Sequence, residues 1–395
     1  MKEFSSILNQ RLKDLDGHSG RRFLKLRRGI DFCSNDYLGF SQDDKLLTSF
    51  GSQISEISVG STGSRLLRGH LEVFERVEAL LAEFCGRETA LIFPSGYQAN
   101  LGLLSAVLRP GDIVYSDQYN HASLIDGIRL SGAHKEIFPH LDFRSLRRAL
   151  EKRASGISAQ DSLRVIVTES LFGMDGDRAP LVELANLAEE FSALLIVDEA
   201  HATGLWGDFE SNRGGGLVQS LELCDRVFAT VHPAGKAFGV GGAWVCGDAQ
   251  LRDYLVNFSR PFVFSTAPLP LLPVLLEGVL IRWREEGRFR AQKVFEKTGF
   301  FLNLLSKERT KGTKKAMEVL TALPNVTGPI VPIVLGDNAY ACTIAESLQA
   351  KGFDIRAIRP PTVPEGTSRL RLTLHWDHAE SDLKQLVLAL VQSLV

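Results

Sequence analysis

The sequence predicts an α/β protein: a large domain on a mainly parallel sheet, then a smaller α+β C-terminal domain. Three observations predict it. Short apolar runs of strand length, "DIVYSD", "LRVIVTES", "ALLIVDEA", "RVFATV" and "GAWVCG", recur through the middle of the chain. Helical stretches such as "PLVELANLAEEFSA" separate several of them, which is the pattern of strand–helix–strand units. After about Pro268 the texture changes to one long helical region and a few later strands.

In chain order, "MKEFSSILNQRLKDLDG" mixes apolar and charged residues like an amphipathic helix and has no signal-peptide core. "IDFCSNDYLGF" is extended and closes on turn residues. "HLEVFERVEALLAEFCG" is a helix with its stop at Gly86. "TALIFPSG" is a strand entering a glycine turn, and "YQANLGLLSAVL" is the helix after it. Beyond Pro268, "LLPVLLEGVLIRWREEGRFRAQKVFEKTGFFLNLLSK" leads through "GPIVPIVLG" and the helix "NAYACTIAESLQAKG" to "RLRLTLHW". That order suits an α+β domain with an antiparallel sheet. The expected boundaries are an N-terminal segment at 1–45, the large domain at 46–270 and the smaller one at 271–395.

Composition narrows the function. The 395 residues carry 45 basic and 47 acidic side chains, a net charge of −2, so no global field favours nucleic acid or an anionic membrane. The longest apolar run, "APLPLLPVLLEGVLI", is broken by prolines and Glu277 and is too short to span a bilayer. The basic run "KERTKGTKK" reads as a solvated helix end or loop, with a landing site for a phosphorylated carrier as the alternative. Five dispersed cysteines without a C-x-x-C pair indicate neither a disulfide framework nor a zinc site. A cytoplasmic enzyme without a metal is expected.

Sites in parallel-sheet proteins gather at the carboxyl ends of strands. "ALIFPSGYQAN" ends in Ser95, Gly96 and Tyr97 at a helix start, where free N–H groups suit a phosphate. "SDQYNHASLIDG" offers His121 after the next strand. "LLIVDEAHATG" brings out Asp198 and His201 together. No further ligands at matching spacing support a metal there, and no G-x-S-x-G elbow supports a serine triad. An acid that keeps a pyridine nitrogen protonated, beside a hydrogen-bonding imidazole, fits pyridoxal phosphate. "VHPAGKAFGVGGAW" then places Lys236 one unit downstream. Alone, a lysine among glycines is a surface turn; after the Asp-x-x-His strand end it is the residue that forms a Schiff base.

With these residues in view, the sequence resembles the α-oxoamine synthase family of pyridoxal-phosphate fold-type I enzymes. The shared segments are "SNDYLG", "SGYQAN", "NHASLIDG", "ESLFGMDGD", "DEAHATG", "GKAFGVGGA", "FSTAPLP" and "IRPPTVPEGTSRLRLTLHW". The resemblance implies that Lys236 carries pyridoxal 5'-phosphate, Asp198 pairs with its ring nitrogen, His201 bonds its hydroxyl and His121 stacks on its face. Gly96 and Tyr97 would give N–H groups to its phosphate. Thr266 would reach the phosphate of a neighbouring subunit, which implies a homodimer with shared sites. Arg21, Asn35, Thr362 and one of Arg369 and Arg371 match substrate-contacting positions. The two arginines point the same way on a strand and are not separated by it, with Arg371 favoured as the carboxylate clamp.

The implied reaction is decarboxylative condensation of an amino acid with an acyl thioester, on coenzyme A or an acyl carrier protein. The Arg-Pro-Pro-Thr-Val-Pro run tilts it toward L-alanine and a pimeloyl donor, over glycine with acetyl-CoA. Two positions depart from the family. Pro233 stands where a hydroxyl residue is usual, and Gly173 where a serine is usual, both of them cofactor contacts. Each missing hydrogen bond to a charged group is worth about 1.5–3 kcal/mol. Thr230 or His232 is the expected replacement, or backbone N–H groups suffice. A cofactor-binding but inactive homologue is therefore the competing class, although both Lys236 and Asp198 are present.

Overall fold

The structure is a computed structural model and describes residues 2–17, 19–53, 57–154, 162–323 and 326–394. The chain forms two compact units, one of residues 38–172 and 178–292, the other of residues 1–37, 173–177 and 293–395. The expected cuts at 45 and 270 were continuous in sequence; the units are not, since residues 173–177 leave the larger unit for the smaller.

Helix α1 (Lys2–Gly17) and the two-residue strand β1 (Ile30–Asp31) open the chain in the smaller unit. The larger unit starts with α2 (Asp44–Gln53) and α3 (Glu72–Cys85). Strand–helix alternation follows: β2 (Thr89–Phe93), α4 (Gly96–Val107), β3 (Ile113–Asp117), α5 (Ala122–Ser131), β4 (His134–Phe138) and α6 (Phe143–Ala154). It continues with β5 (Arg164–Glu169), α7 (Leu181–Glu190), β6 (Leu194–Asp198), the short α8 (Leu217–Ser220), β7 (Ala229–Pro233) and β8 (Ala243–Gly247). Helices α9 (Ala249–Phe258) and α10 (Arg260–Val263) complete it.

These strands make one seven-stranded sheet in the order β2-β8-β7-β6-β5-β3-β4. Only β8 runs against the others. Strands such as β3 and β5 read as near-continuous apolar runs because helices cover both faces of a parallel sheet. The parallel direction brings the ends of β2, β5, β6 and β7 to one edge, where the polar clusters of the sequence lie. Gly127 lets α4 and α5 meet there: a Cβ on it would stand 2.9 Å from Leu104 and 3.1 Å from the Asn100 carbonyl.

Helix α11 (Leu271–Glu308, 38 residues) begins in the larger unit and ends in the smaller. After it come α12 (Lys314–Thr321), β9 (Ile330–Gly336), α13 (Asn338–Ala350), β10 (Phe353–Asp354), β11 (Ala357–Ile358), β12 (Ser368–Thr373) and α14 (Glu380–Ser393). Strands β11, β12 and β9 form the antiparallel sheet expected, and β1 pairs in parallel with β10. Phe301, Ile333, Leu348, Leu372, Leu386 and Leu390 lie in its core. "KERTKGTKK" covers the end of α11 and the start of α12, largely exposed, with Lys311 paired to Glu308. Among the described residues no helix is long and apolar enough to cross a membrane.

One buried histidine ties the smaller unit together. His378 donates from Nε2 to the Asp31 carbonyl at 2.7 Å, and its Nδ1 accepts the His375 N–H at 3.1 Å. Its ring stacks on Phe32 at 4.2 Å. Burial, followed by the charge of His375, pushes its pKa down to about 4. The folded chain therefore binds fewer protons than the unfolded chain between about 4 and 6.5, and stability falls as pH drops through that window. At most about 3 kcal/mol is involved. In denaturant unfolding, His378→Gln should show a flatter loss of stability from pH 6.5 to 4 than the wild type; equal slopes would refute this account.

Candidate active site

The turn after β2 builds an anion-binding end. Ser95 caps α4, its Oγ accepting the Gln98 N–H at 3.3 Å, and the N–H groups of Gly96 and Tyr97 precede any intrahelical partner. A Cβ on Gly96 would lie 2.5 Å from Cγ of Pro233, so the proline ring closes directly over the helix start. Tyr97 is partly exposed; its hydroxyl donates to Asp126, and this bond raises the phenol's pKa.

The expected replacement of the hydroxyl missing at Pro233 does not come from Thr230 or His232. His232 bonds Thr230 at 2.7 Å through Nε2 and Thr203 at 2.9 Å through Nδ1, and its ring stacks on Trp244 at 5.3 Å. Alternation along β7 points these side chains to the face opposite Pro233. The same fold brings the thiols of Cys85 and Cys246 and the His232 ring within 4.8 Å of one another, although no spacing in the sequence links them. Both ring nitrogens are already engaged by threonine hydroxyls.

Strand β6 delivers Asp198, 4% exposed, and His201 just beyond it is also buried. Asp198 Oδ2 accepts from Asn100 Nδ2 at 2.7 Å, and Oδ1 accepts the Ala200 N–H at 2.9 Å. Next to it, in register, Glu169 ends β5 and is buried too. Its Oε1 accepts the His121 N–H at 2.8 Å. Desolvation, then the charge of Asp198, pushes the Glu169 pKa up to about 8. His121 caps α5 and is exposed; desolvation lowers its pKa, the charge of Asp198 opposes this and that of Lys236 adds to it. Lys236 sits half-buried in the turn after β7, and its charge is felt at both His121 and Glu169.

Asp198, His201, His121 and Lys236 were expected at this edge from the sequence; Glu169, Asn100 and Ser123, which the structure sets beside them, were not. The available signals were a carboxylate at the end of a buried strand, in "VTES", and a polar residue inside an apolar helix, in "YQANLGLL".

The residues expected to contact substrate at 21, 35, 362, 369 and 371 lie in the smaller unit, where the structure separates the two arginines. Arg369 is committed to an ion pair with Asp175 at 2.5 Å and bonds the Thr367 carbonyl at 3.0 Å. Arg371, 7% exposed, donates among the described residues to neutral oxygens: the Gly173 carbonyl, Asn35 Oδ1 at 2.8 Å and the Tyr37 hydroxyl at 3.4 Å. Gly173 therefore contributes a carbonyl to Arg371. Arg21 pairs with Asp16 at 2.9 Å, while Thr362 accepts from Arg22 at 2.9 Å rather than from Arg21. Thr266 lies exposed in the larger unit, in the segment between α10 and α11.

Residues 27–390 match the family of aminotransferase class I and II. The chain belongs to that family. Among individual proteins it is similar to the 8-amino-7-oxononanoate synthase of Trichlorobacter lovleyi, with 36% identity over 98% of this chain and 94% of the relative. A solved 8-amino-7-oxononanoate synthase from Francisella tularensis superposes with a TM-score of 0.73 at 27% identity, covering 92% of this chain and 97% of that one. Sphingomonas wittichii serine palmitoyltransferase gives 0.85 at 25% identity, covering 99% and 97%.

For this member of the class I and II aminotransferase family, the in-register carboxyl pair has a measurable signature. With the Glu169 pKa raised to about 8, the folded chain keeps a proton that the unfolded chain releases near its ordinary value of 4.5. Stability must fall as pH rises through that window. Between pH 6.5 and 8, above the His378 window, cofactor-free Glu169→Gln should lose less stability than the wild type. Parallel curves would show that Glu169 is ionised in the fold.

Proposed function

We propose that the chain condenses L-alanine with a pimeloyl thioester, using pyridoxal phosphate, to give 8-amino-7-oxononanoate, carbon dioxide and free thiol for biotin synthesis. The observation that carries this is the strand-end cluster: a buried Asp198 that accepts from the Asn100 amide and the Ala200 N–H, His121 exposed at the start of α5, and Lys236 within electrostatic reach of His121 and Glu169. The similar 8-amino-7-oxononanoate synthases support the substrate pair.

These residues fit the cofactor. A buried carboxylate at the strand ends is suited to hold a protonated ring nitrogen, and the start of α4 offers N–H groups to a phosphate. Bound there, pyridoxal phosphate supplies an electron sink that acidifies the Cα proton of the amino acid. Lys236 would carry the cofactor and, as a free amine, would take and return the proton at Cα of the amino acid. Asp198 holds the ring nitrogen charged, His201 bonds the ring hydroxyl and His121 covers the ring face. Gly96 and Tyr97 hold the phosphate, joined by Thr266 of a neighbouring subunit in a cytoplasmic homodimer. Arg371, oriented by Asn35 and the Gly173 carbonyl, clamps the α-carboxylate, and Arg21 and Thr362 contact substrate. Arg369 is a structural ion pair.

A different amino acid is the second reading, favoured by the serine palmitoyltransferase likeness. Thiol release from pimeloyl-CoA and from a pimeloyl carrier protein, with L-alanine, glycine or L-serine, separates them. Alanine-dependent release is expected, absent in Lys236→Ala together with the cofactor's protein-bound absorbance band. Release with serine or glycine alone would move the substrate assignment, and a turning-over Lys236→Ala would refute the lysine's role.

Pro233→Thr should tighten pyridoxal phosphate about 10-fold in equilibrium titration, since it restores one charge-assisted bond. Unchanged affinity would mean that the backbone N–H groups already satisfy the phosphate.

A further inference from the structure

Asn100 is out of place by its surroundings. The other buried residues of α4 are Ala99, Gly102, Leu103, Leu104 and Ala106, all apolar. Asn100 is 1% exposed, and its Oδ1 has no hydrogen-bond partner. An unsatisfied buried acceptor is destabilising, and an apolar side chain of similar shape would avoid it. What the amide provides instead is its two N–H bonds. One goes to Asp198 Oδ2 at 2.7 Å and the other to Ser123 Oγ at 2.9 Å. The reversed amide would set its oxygen against the carboxylate, so the network assigns the orientation.

Ser123, 0% exposed, passes the arrangement on. Its Oγ accepts from Asn100, which leaves the hydroxyl proton for His121 Nδ1 at 2.8 Å. The same nitrogen accepts the Ser123 N–H at 3.2 Å. With Nδ1 an acceptor twice over, a neutral imidazole carries its proton on Nε2. Glu169 holds the His121 backbone from the other side. The close approach of α4 and α5 at Gly127 puts Asn100 and Ser123 within reach of each other.

We propose that Asn100 and Ser123 are positioning residues, which together fix the Asp198 carboxylate and hold His121 as its Nε2–H tautomer. Their relevance to the reaction rests on the reading that Asp198 and His121 meet the cofactor's nitrogen and face. The hydrogen-bond relay itself does not.

Nitrogen-15 spectra of the histidine rings in cofactor-free protein, with His121 assigned by its loss in His121→Asn, test the relay whatever the substrate is. The wild type should show the Nε2–H form, and Ser123→Ala a mixture with the Nδ1–H form; an unchanged single tautomer in Ser123→Ala overturns the relay. In protein loaded with pyridoxal phosphate labelled at the ring nitrogen, Asn100→Leu should show a reduced protonated fraction. Its kcat should fall on the order of 100-fold with amino-acid KM little changed, and the cofactor-free variant should also lose stability, because the buried Asp198 carboxylate gives up a donor. A fully protonated ring nitrogen with normal kcat overturns the positioning role of Asn100.

Discussion

Two carboxyl groups, Glu169 and Asp198, end adjacent parallel strands in register, both buried. Like charges so placed cannot both ionise cheaply, and one must yield its charge or find donors. The surrounding structure resolves the conflict by asymmetry. Asp198 receives Asn100 and the Ala200 N–H, whereas Glu169 receives one backbone N–H, from His121, and its pKa rises. The same contacts anchor the first turn of α5, and through Ser123 they set the imidazole. The parallel sheet creates the problem by bringing strand ends together. The close contact between α4 and α5 supplies the donors that solve it.

The smaller unit shows the opposite treatment of charge. On β12, Arg369 and Arg371 share a face and differ in their partners. Arg369 meets Asp175 and is neutralised. Arg371 meets a carbonyl, an amide oxygen and a phenol, which orient a guanidinium without cancelling its charge. A guanidinium fixed by neutral acceptors keeps its attraction for a carboxylate and loses little side-chain freedom on binding one.

Much of this was legible in the sequence where function and local pattern coincide. Asp198 and His201 follow an apolar strand, Lys236 follows the next, and the strand–helix rhythm announces a parallel sheet. What stayed hidden depends on which helix lies against which strand. Asn100 reads as one more residue of an apolar helix until Asp198 stands opposite it. Arg369 and Arg371 are equivalent until Asp175 pairs with one. The three-segment division missed residues 173–177 because a five-residue excursion leaves no compositional trace. The expectation for Thr230 and His232 failed on a rule already in hand, since strand alternation turns both away from Pro233.

Pro233 shows how one residue couples strand geometry to an anion site. At the end of β7 its missing N–H is tolerated, because the ladder stops there. Its ring fills the space a side chain on residue 96 would need, which leaves glycine as the residue that fits. With no hydroxyl on that side, specificity for a phosphate falls to the N–H groups and dipole of α4. Those donors belong to the helix backbone and are positioned by the same packing that places Asn100 against Asp198. An anion held at the start of α4 and a ring nitrogen held by Asp198 would therefore be registered by a single rigid element, whose first turn binds one and whose second turn orients the partner of the other.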